Sequence, residues 1–484
     1  MIVFLAIFLL PADTLGFVTY LQLMPVGLRK AALPALFSIG CFLLLILLTF
    51  IFGRVYCSFI CPLGTLQDIA IGLRKMFRPK SKRKLFTRSY RRLRYIILAI
   101  VVGAMFYGIA IPLGMIEPFA IFGRFTTVII KPLFVWLNNV VLNSELIENL
   151  YPLDYLPFSL ILLLVGGGVF GLVMLMAFFR GRLFCNTICP AGTLLGLISK
   201  FSWFKLVFDA DSCIECGKCI KSCKAGCIDA KNRIIDNERC VRCFNCIAVC
   251  TPSAINYSHQ KSPKPMKQDL SRRDFLLIGG SAALGTALLP PLLRYRTPNK
   301  HAVMPPGALN FDRFTAKCTG CQLCVSNCPG YVLKPAALHY GLSGFLQPRL
   351  DFNAGMCEYE CTVCSNLCPN GALIPLNEER KKLLQIGIAN YSRELCVVVT
   401  DHTYCGACAE HCPTGAVHMV NLPNGLTIPQ VEPELCIGCG ACEYICPVRP
   451  TKAIIVAGLN SQGTAKIGRS EQVIDHLKDQ DFPF

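Results

Sequence analysis

The chain alternates between long apolar stretches and polar stretches that are rich in cysteine. Three stretches of about 20 residues, Leu33–Phe52, Ile96–Met115 and Phe158–Phe179, are long enough to cross a hydrocarbon core of ~30 Å as helices. Phe275–Leu293 can cross once more. Met1–Leu10 is apolar but short, so we expect it to be the end of a longer first helix. The pattern predicts a membrane α-helical bundle joined to soluble domains.

Composition and charge distribution agree with a membrane protein. Hydrophobic residues make up 53% of the 484 residues and charged residues only 16%, whereas a soluble domain has about 25% charged residues. The net charge is +18, and one loop between apolar stretches carries Arg74, Lys75, Arg78, Lys80, Lys82, Arg83, Lys84, Arg88, Arg91, Arg92 and Arg94. Positive loops stay in the cytoplasm and orient the helices. Without a nucleic-acid-reading motif, this loop does not indicate a nucleic-acid partner.

The basic loop also predicts on which side the other segments lie. The segments around Arg29–Lys30 and Arg124–Lys131 have fewer positive charges and are expected outside the cytoplasm. Residues 209–257 then lie in the cytoplasm, and the chain after Arg294 lies in the periplasm. We therefore expect a multi-pass protein of the bacterial inner membrane, in contact with the lipid bilayer and with a periplasmic C-terminal domain.

The stretch Ser-Arg-Arg-Asp-Phe-Leu at 271–276 resembles a twin-arginine export signal. That pathway exports folded domains that already carry their cofactors. Alternatively, Arg272 and Arg273 are ordinary charges at the inner end of a helix. No small-x-small cleavage site follows, so we expect the segment to remain as an anchor.

Residues 209–257 contain two cysteine runs with the spacing C-x2-C-x2-C-x3-C. A [4Fe–4S] cube needs four thiolates, and in two-cluster ferredoxins the last cysteine of each run serves the other cluster. We expect one cluster on Cys213, Cys216, Cys219 and Cys250, and a second on Cys240, Cys243, Cys246 and Cys223. Cys227 is an additional cysteine between the runs.

Four further runs follow Arg294, and each ends in Cys-Pro. They are Cys318, Cys321, Cys324, Cys328; Cys357, Cys361, Cys364, Cys368; Cys396, Cys405, Cys408, Cys412; and Cys436, Cys439, Cys442, Cys446. These runs suit four cubes, so the sequence predicts six [4Fe–4S] clusters in all. We expect nested pairing, in which the first run exchanges its last cysteine with the fourth and the second with the third. Zinc is the alternative ligand of four thiolates, but the x3-C-P ending favours iron–sulfur.

Other redox cofactors are not indicated by the sequence. All seven histidines follow Phe179, so the apolar stretches before it offer no histidine to a haem. No C-x-x-C-H motif for covalent haem occurs. No G-x-G-x-x-G motif opens a helix after a strand, so nothing indicates a nicotinamide or flavin site.

Two copies of one motif, GRVYCSFICPLGTL at 53–66 and GRLFCNTICPAGTL at 181–194, follow two apolar stretches. Residues four apart share one face of a helical turn. If the copies pack together, Cys57, Cys61, Cys185 and Cys189 can form one more metal or iron–sulfur centre. The alternative is a packing role, because free cysteine is a small apolar residue and the prolines alone explain the turn.

With these motifs, residues 1–257 resemble the NapH-type membrane iron–sulfur subunit of periplasmic nitrate reductase systems. Residues 271–484 resemble the companion NapG-type subunit, and relatives serve nitrous oxide reduction (NosR-type) and methylamine dehydrogenase (MauN/MauM-type) systems. The resemblance implies a membrane α-helical bundle plus α+β ferredoxin-like iron–sulfur domains. The expected domains are transmembrane at 1–205, cytoplasmic two-cluster ferredoxin at 206–260, linker and further anchor at 261–300, and periplasmic four-cluster ferredoxin-like at 301–484.

The resemblance also implies an electron-transfer function of the quinol dehydrogenase type. Electrons come from a membrane quinol or from a cytoplasmic donor and pass to a periplasmic reductase or cytochrome. Glu117 is a candidate acceptor of a quinol proton, or else an ordinary interfacial carboxylate. The alternative function is an accessory protein that reduces or matures the metal centre of a partner enzyme. Both functions use the same cysteine ligands.

Overall fold

The computed structural model describes residues 2–10, 33–77, 90–143, 151–155, 159–209, 211–229, 234–259 and 302–466, with short pieces at 19, 22–23, 232, 273, 276–281, 283–285 and 287. They form two compact units. The first unit contains residues of 17–130 and 160–293, and the second contains residues of 131–159 and of the chain from 294 onward. The domains expected at 1–205 and 206–260 thus belong mostly to one unit, while residues 131–159 group with the C-terminal domain.

The described part of the chain up to residue 200 is helical. Its elements are Ile2–Leu9, Leu33–Phe52, Tyr56–Phe59, Pro62–Phe77, Arg91–Phe106, Ile111–Ile116, Pro118–Phe125, Thr126–Ile130, Lys131–Asn143, Leu160–Leu162, Leu163–Gly167, Gly168–Arg180, Leu183–Thr187 and Pro190–Lys200. Thr126–Ile130 and Leu163–Gly167 are π-helical turns inside longer helices. Pro62, Pro118 and Pro190 each open a helix, where the missing N–H leaves no hydrogen bond unmade.

Among the described residues, two helices are long and apolar enough to cross a membrane, Pro118–Leu142 and Leu160–Arg180. The helix Leu33–Phe52 has 20 residues, as predicted. The segment around Arg124–Lys131, which the sequence predicts outside the cytoplasm, lies within one helix that runs through it without a break. Arg124 and Lys131 interrupt the apolar pattern, so the sequence did not predict a continuous apolar helix here. Arg124 is in fact buried, with Nη1 3.7 Å from the Met115 sulfur.

The predicted single span Ile96–Met115 is instead two helices, Arg91–Phe106 and Ile111–Ile116. Gly108 ends the first with a φ of +71°, in the left-handed region that glycine adopts without a steric penalty. Pro112 lies in the first turn of the second helix. An apolar run of membrane-spanning length therefore does not form a continuous helix here.

The cysteine-rich part of the first unit is built on two short antiparallel sheets. Lys205–Phe208 pairs with Ile255–Ser258, and Ile228–Asp229 pairs with Ile234–Ile235. Leu206, Phe208 and Ile255 are buried, as expected when alternate residues of a strand face the core. The helices are Lys218–Ser222 and Asn245–Ala248.

The C-terminal domain is also built on short antiparallel strand pairs and short helices. Its antiparallel pairs are Leu333–Pro335 with Pro348–Leu350, Leu384–Tyr391 with Ile454–Thr464, and Val417–Asn421 with Thr427–Val431. Its helical turns are Phe311–Lys317, Leu323–Ser326, Leu342–Gly344, Val363–Asn366, Glu378–Leu383, Arg393–Leu395, Val397–Thr400, Ala407–Glu410 and Ala441–Ile445. A core of small and branched residues contacts all four cysteine runs.

Two predicted features lie largely outside the described residues. They are the basic loop from Arg78 to Ser89 and, in the twin-arginine-like stretch, Ser271, Arg272, Asp274 and Phe275. Within the expected anchor, residues 276–281 and 283–285 are helical. Gly285 lies against Ile100 of the helix Arg91–Phe106.

Candidate functional site

The two runs of the first unit exchange their last cysteines as expected. One cavity is lined by Cys240, Cys243 and Cys246 together with Cys223. For the other set, burial raises the pKa of the Cys219 thiol, and Cys216 and Cys250 are close enough to raise it further. The structure therefore brings the last cysteine of each run to the other run, Cys223 to Cys240 and Cys250 to Cys219, which is the exchange of two-cluster ferredoxins.

The four C-terminal runs pair as neighbours, so the nested pairing is wrong. One cavity is lined by Cys357, Cys361 and Cys364 of the second run and Cys328 of the first. Another is lined by Cys396, Cys405 and Cys408 of the third run and Cys446 of the fourth.

The last cysteines of the second and third runs lie near the first and fourth runs in turn. Burial raises the pKa of Cys324, and its charged neighbours are Cys321, Cys318, Cys364 and Cys368. Burial also raises the pKa of Cys442, whose neighbours are Cys439, Cys436, Cys412 and Cys408. Runs joined by short connections have packed into two consecutive two-cluster modules, because a short loop costs less entropy to close than a long one.

The backbone conformation around the cysteine runs suits a bound anion. The third cysteine of every run lies on a short helix, at Cys219, Cys246, Cys324, Cys364, Cys408 and Cys442. In the four C-x2-C-x2-C runs, the residues on both sides of the second cysteine have positive φ: Glu215 and Gly217, Arg242 and Phe244, Gly320 and Gln322, Gly438 and Gly440. Such turns aim successive N–H groups into a concavity that binds anions. Glu215 N, for example, donates to Cys213 Sγ at 3.4 Å.

Cys227 lies beside one of these cluster sites. Its sulfur is 3.6 Å from that of Cys223, its side chain is buried, and it lines the same cavity as Cys240. Hydrogen bonding with Cys227 lowers the pKa of both Cys223 and Cys240. The site thus holds a fifth thiol that contacts two expected ligands.

Within the described residues, no group of three or more His, Cys, Asp or Glu side chains is placed to hold a single metal ion. A [4Fe–4S] cube differs from a single ion because each thiolate binds its own iron atom.

The two C-x3-C-P copies have the same local structure. Cys57 and Cys185 lie on the short helices Tyr56–Phe59 and Leu183–Thr187. Cys61 and Cys189 directly precede the helices opened by Pro62 and Pro190. The two cysteines of a copy thus belong to different elements rather than to one helical turn, and the prolines sit at the bend, as expected.

The four cysteines of the two copies converge in one buried cluster. Burial raises the pKa of the Cys189 thiol, and the other three cysteines are near enough to raise it further. Gly192 N donates to Cys189 Sγ at 3.3 Å, and Gln67 Nε2 donates to Cys185 Sγ at 3.3 Å. N–H groups that point at sulfur are what an anionic thiolate centre requires.

Each copy is tied to the other through its arginine. Arg54 Nη2 donates to the carbonyl of Cys185 at 3.2 Å, and Arg182 Nη1 donates to the carbonyl of Cys57 at 2.5 Å. A Cβ atom at Gly64 or Gly192 would overlap these same carbonyls, so glycine allows the close approach at both positions.

The two arginines differ in their counter-charges. Arg182 donates to both carboxylate oxygens of Asp68, at 2.9 and 2.7 Å. Arg54 is fully buried and contacts Asn186 Oδ1 at 3.0 Å and Cys57 Sγ at 3.7 Å. Among the described residues no carboxylate pairs with Arg54, and its Nε has no hydrogen-bond partner. A buried, unpaired cation is costly, so this environment fits an anionic centre on the four cysteines.

The copies also contact the loops that carry the neighbouring clusters. Ser58 Oγ donates to the carbonyl of Val241 at 2.6 Å, one residue after Cys240. Asn186 Nδ2 donates to the carbonyl of Ala225 at 3.2 Å, two residues after Cys223. Ser58 and Asn186 occupy equivalent positions in the two copies. The four-cysteine cluster is therefore joined to both sides of one expected [4Fe–4S] site.

Comparisons with known proteins agree with these geometries. A 4Fe-4S binding domain model matches residues 34–84 and 162–208, which include the two C-x3-C-P copies. A 4Fe-4S dicluster domain model matches residues 317–372 and 403–449, and a second such model matches residues 205–252. No solved structure matches the chain.

Relatives are ferredoxin-type proteins. NapG of Escherichia coli is 32% identical over 206 residues, which cover 38% of this chain and 84% of NapG. The chain belongs to the NapG/MauM family of ferredoxin-type proteins. MauM of Methylobacillus flagellatus, a methylamine utilization protein, is 31% identical over 214 residues, covering 40% of this chain and 85% of MauM. NapF of Escherichia coli is 28% identical over 148 residues, covering 31% of this chain and 82% of NapF. This NapG/MauM-type chain is thus an iron–sulfur electron-transfer protein.

Glu117 has a structural task in this NapG/MauM-type chain. Its carboxylate accepts hydrogen bonds from the backbone N–H groups of Phe119, at 3.0 Å, and Ala120. It therefore caps the helix opened by Pro118. The residue is 2% exposed, so the cap is a buried one.

Sequence reasoning missed Arg54, Asp68, Gln67 and Arg182 as part of the site. The signal was present for two of them, because Gly-Arg precedes both C-x3-C-P motifs. Gln67 and Asp68 follow only the first copy, so the repeat itself did not mark them.

Proposed function

We propose that this protein is a membrane-bound electron-transfer protein of the quinol dehydrogenase type, a fusion of NapH-like and NapG-like parts. It passes electrons from a membrane quinol to a periplasmic reductase or cytochrome. The hydrogen bonds of Ser58 and Asn186 to the cluster loops carry this proposal. They join the apolar helices to the cysteine runs in one compact unit.

Six [4Fe–4S] clusters form the electron path in this proposal. The support is the reciprocal pairing of all six runs, together with the left-handed turns in four of them. Such a cluster, when bound, accepts and donates one electron at a time. The cysteines hold it, and the surrounding N–H groups and buried side chains set its potential.

In this proposal Cys57, Cys61, Cys185 and Cys189 would hold a further iron–sulfur centre between the quinol and the clusters. The buried charge of Arg54 and the match of residues 34–84 and 162–208 to a 4Fe-4S binding domain support this assignment. Oxidation of one quinol to quinone releases two electrons and two protons. The electrons leave singly toward the clusters, and the protons leave to water.

The proposed topology places residues 209–257 in the cytoplasm and the chain after 294 in the periplasm. The twin-arginine-like motif supports it, as does the grouping of residues 131–159 with the C-terminal unit. Protease added to spheroplasts should digest the C-terminal domain and spare residues 209–257. Protection of both, or digestion of both, would contradict the topology.

Turnover separates this function from that of an accessory protein. The full-length protein in vesicles with its native periplasmic partner should deliver electrons from quinol continuously. An acceptor that takes electrons only once per molecule would instead show that the protein reduces or matures a partner's metal centre.

A further inference from the structure

A cavity of about 410 Å³ lies in the first unit, at the C-terminal end of the helix Leu33–Phe52. It is lined by Leu45, Leu48, Thr49, Phe52, Gly53, Val55, Tyr56, Phe59, Ile60, Phe244 and Tyr257. Its size falls within the range of about 300–1,000 Å³ typical of small-molecule sites, and such sites are mostly apolar with a few polar groups. It is separate from the cavities lined by cysteines.

Aromatic rings form two walls of this cavity. Phe52, Tyr56 and Phe59 come from the helix end and the first C-x3-C-P copy, and Phe244 and Tyr257 come from the cluster domain. Phe244 and Tyr257 pack edge to face with ring centres 5.2 Å apart. Tyr257 Oη donates to the carbonyl of Phe52 at 2.9 Å, which fixes the walls relative to each other. Aromatic walls of this kind suit a flat ring.

The surface around the cavity is apolar. On the helix Leu33–Phe52, Leu44 is 54% exposed, Leu47 is 52% exposed and Phe52 is 40% exposed. Leu48 belongs both to this surface, at 38% exposure, and to the cavity lining. A ligand that enters past these side chains therefore comes from an apolar phase rather than from water.

Residues of the cavity lining are sequence neighbours of cysteines from two groups. Tyr56 directly precedes Cys57, and Ile60 directly precedes Cys61. Phe244 directly follows Cys243, which lines the neighbouring cluster cavity. An apolar ligand that binds here thus lies next to both the four-cysteine cluster and a [4Fe–4S] site.

We propose that this cavity binds an isoprenoid quinol, with its ring between the aromatic walls and its tail toward the exposed leucines. The proposal rests on the proposed quinol dehydrogenase function and names the place where its substrate binds. The walls hold the ring, and Leu48 stands at the boundary between the cavity and the surface.

Side chains of increasing size at Leu48 test this site. The probe is the quinol analogue 2-heptyl-4-hydroxyquinoline N-oxide, whose fluorescence is quenched on binding to the full-length protein in nanodiscs. Leu48→Phe should weaken binding about threefold and Leu48→Trp at least tenfold. Leu172→Trp is the matched control, because Leu172 is also an exposed leucine of an apolar helix in the first unit, at 57% exposure, but belongs neither to the cavity lining nor to the surface around it. It should change affinity less than twofold.

Iron content and the dithionite-reduced spectrum show whether the variants are folded. If wild type, Leu48→Trp and Leu172→Trp bind the analogue equally well while quinol still reduces the clusters, the proposed site is wrong. The proposed function would stand in that case. Loss of a bound phospholipid in Leu48→Trp with unchanged analogue affinity would show that an acyl chain fills the cavity, which also overturns the proposal. Failure of both analogue binding and quinol-driven reduction in wild type would overturn the function itself.

Discussion

The two C-x3-C-P copies share their backbone arrangement but differ in their charge environment. In both, an arginine donates to the first cysteine's carbonyl in the other copy, and a glycine allows that close approach. Arg182 is neutralised by Asp68, whereas Arg54 has only neutral oxygens and a cysteine sulfur as partners. The arginine of the second copy thus has a counter-charge from the helix that follows the first copy, whereas the arginine of the first copy has no carboxylate partner among the described residues. This difference supports the proposal that the four cysteines hold an anionic centre.

Removing thiolates from both copies should have the largest effect. In the double variant Cys57→Ala with Cys189→Ala, quinol should no longer reduce the clusters, because the proposed path from the cavity loses two ligands. Rapid-mixing spectroscopy measures the rate. Cys41→Ala is the control, since Cys41 lies in neither motif. Unchanged reduction kinetics and metal content in the double variant would leave the motifs as packing elements.

Arg54→Gln should lower the potential of the four-cysteine centre on the order of 100 mV, because one nearby buried positive charge no longer stabilises the added electron. Arg54→Lys keeps the charge and loses the planar hydrogen-bonding group, so it should retain most of the potential. Potentiometric titration followed by electron paramagnetic resonance measures both variants. Equal shifts in the two variants would mean that hydrogen bonding, and not charge, explains the role of Arg54.

Asp68→Asn should lower the stability of the folded protein and leave the potential of the four-cysteine centre largely unchanged. It leaves Arg182 buried without its counter-charge, at a cost on the order of 3 kcal/mol. Burial opposes ionisation of Asp68, but the hydrogen bonds and charges of Arg182 and Lys224 outweigh this and hold its pKa below its usual range. The contribution is therefore constant near neutral pH and is lost only as the pH falls through this low pKa.

The temperature at which the iron–sulfur absorption bleaches at pH 7 measures this loss. Asp211→Asn, a change of an exposed carboxylate, should leave that temperature unchanged. If Asp68→Asn shifted the potential as far as Arg54→Gln does, the distinction between the two copies would fail.

Cys227→Ala should produce the smallest effect, a small shift in the reduction potential of the neighbouring cluster. Loss of its S–H donor to Cys223 and Cys240 removes a hydrogen bond of about 1 kcal/mol, which lowers the potential of that cluster by about 40 mV. The other cluster of residues 205–258 serves as the internal reference in the same titration. A raised or unchanged potential would contradict a donor role for Cys227.

The features that the sequence predicted correctly are those set by the spacing of residues close together in the chain. The six cysteine runs and the helix Leu33–Phe52 follow from residue counts alone, and so does the position of Pro62 and Pro190 at a bend. The pairing of the outer runs does not, because all four end in the same Cys-Pro and only packing selects which last cysteine reaches which neighbour. Gly108 likewise broke an apolar run whose composition alone indicated a single helix.

Buried charge was the other feature that the sequence did not reveal. Arg54, Arg94, Arg182 and Arg242 are among the most buried side chains in the described structure, although isolated arginines are typical of surfaces. Their burial is specified by partners far away in the sequence, such as Glu238 for Arg94 at 3.0 Å. Only the three-dimensional arrangement places Arg54 beside Cys57 and Cys185.

The order in which menaquinol reduces the iron–sulfur centres is the most direct test of the proposed electron path. Oxidised full-length protein in nanodiscs is mixed anaerobically with a short-chain menaquinol, and freeze-quenched samples are examined by electron paramagnetic resonance. We expect the centre on Cys57, Cys61, Cys185 and Cys189 and the clusters of residues 205–258 to be reduced first, and the clusters of residues 302–466 later. Clusters that dithionite reduces but menaquinol does not, or outer clusters reduced before the inner ones, would contradict this expectation.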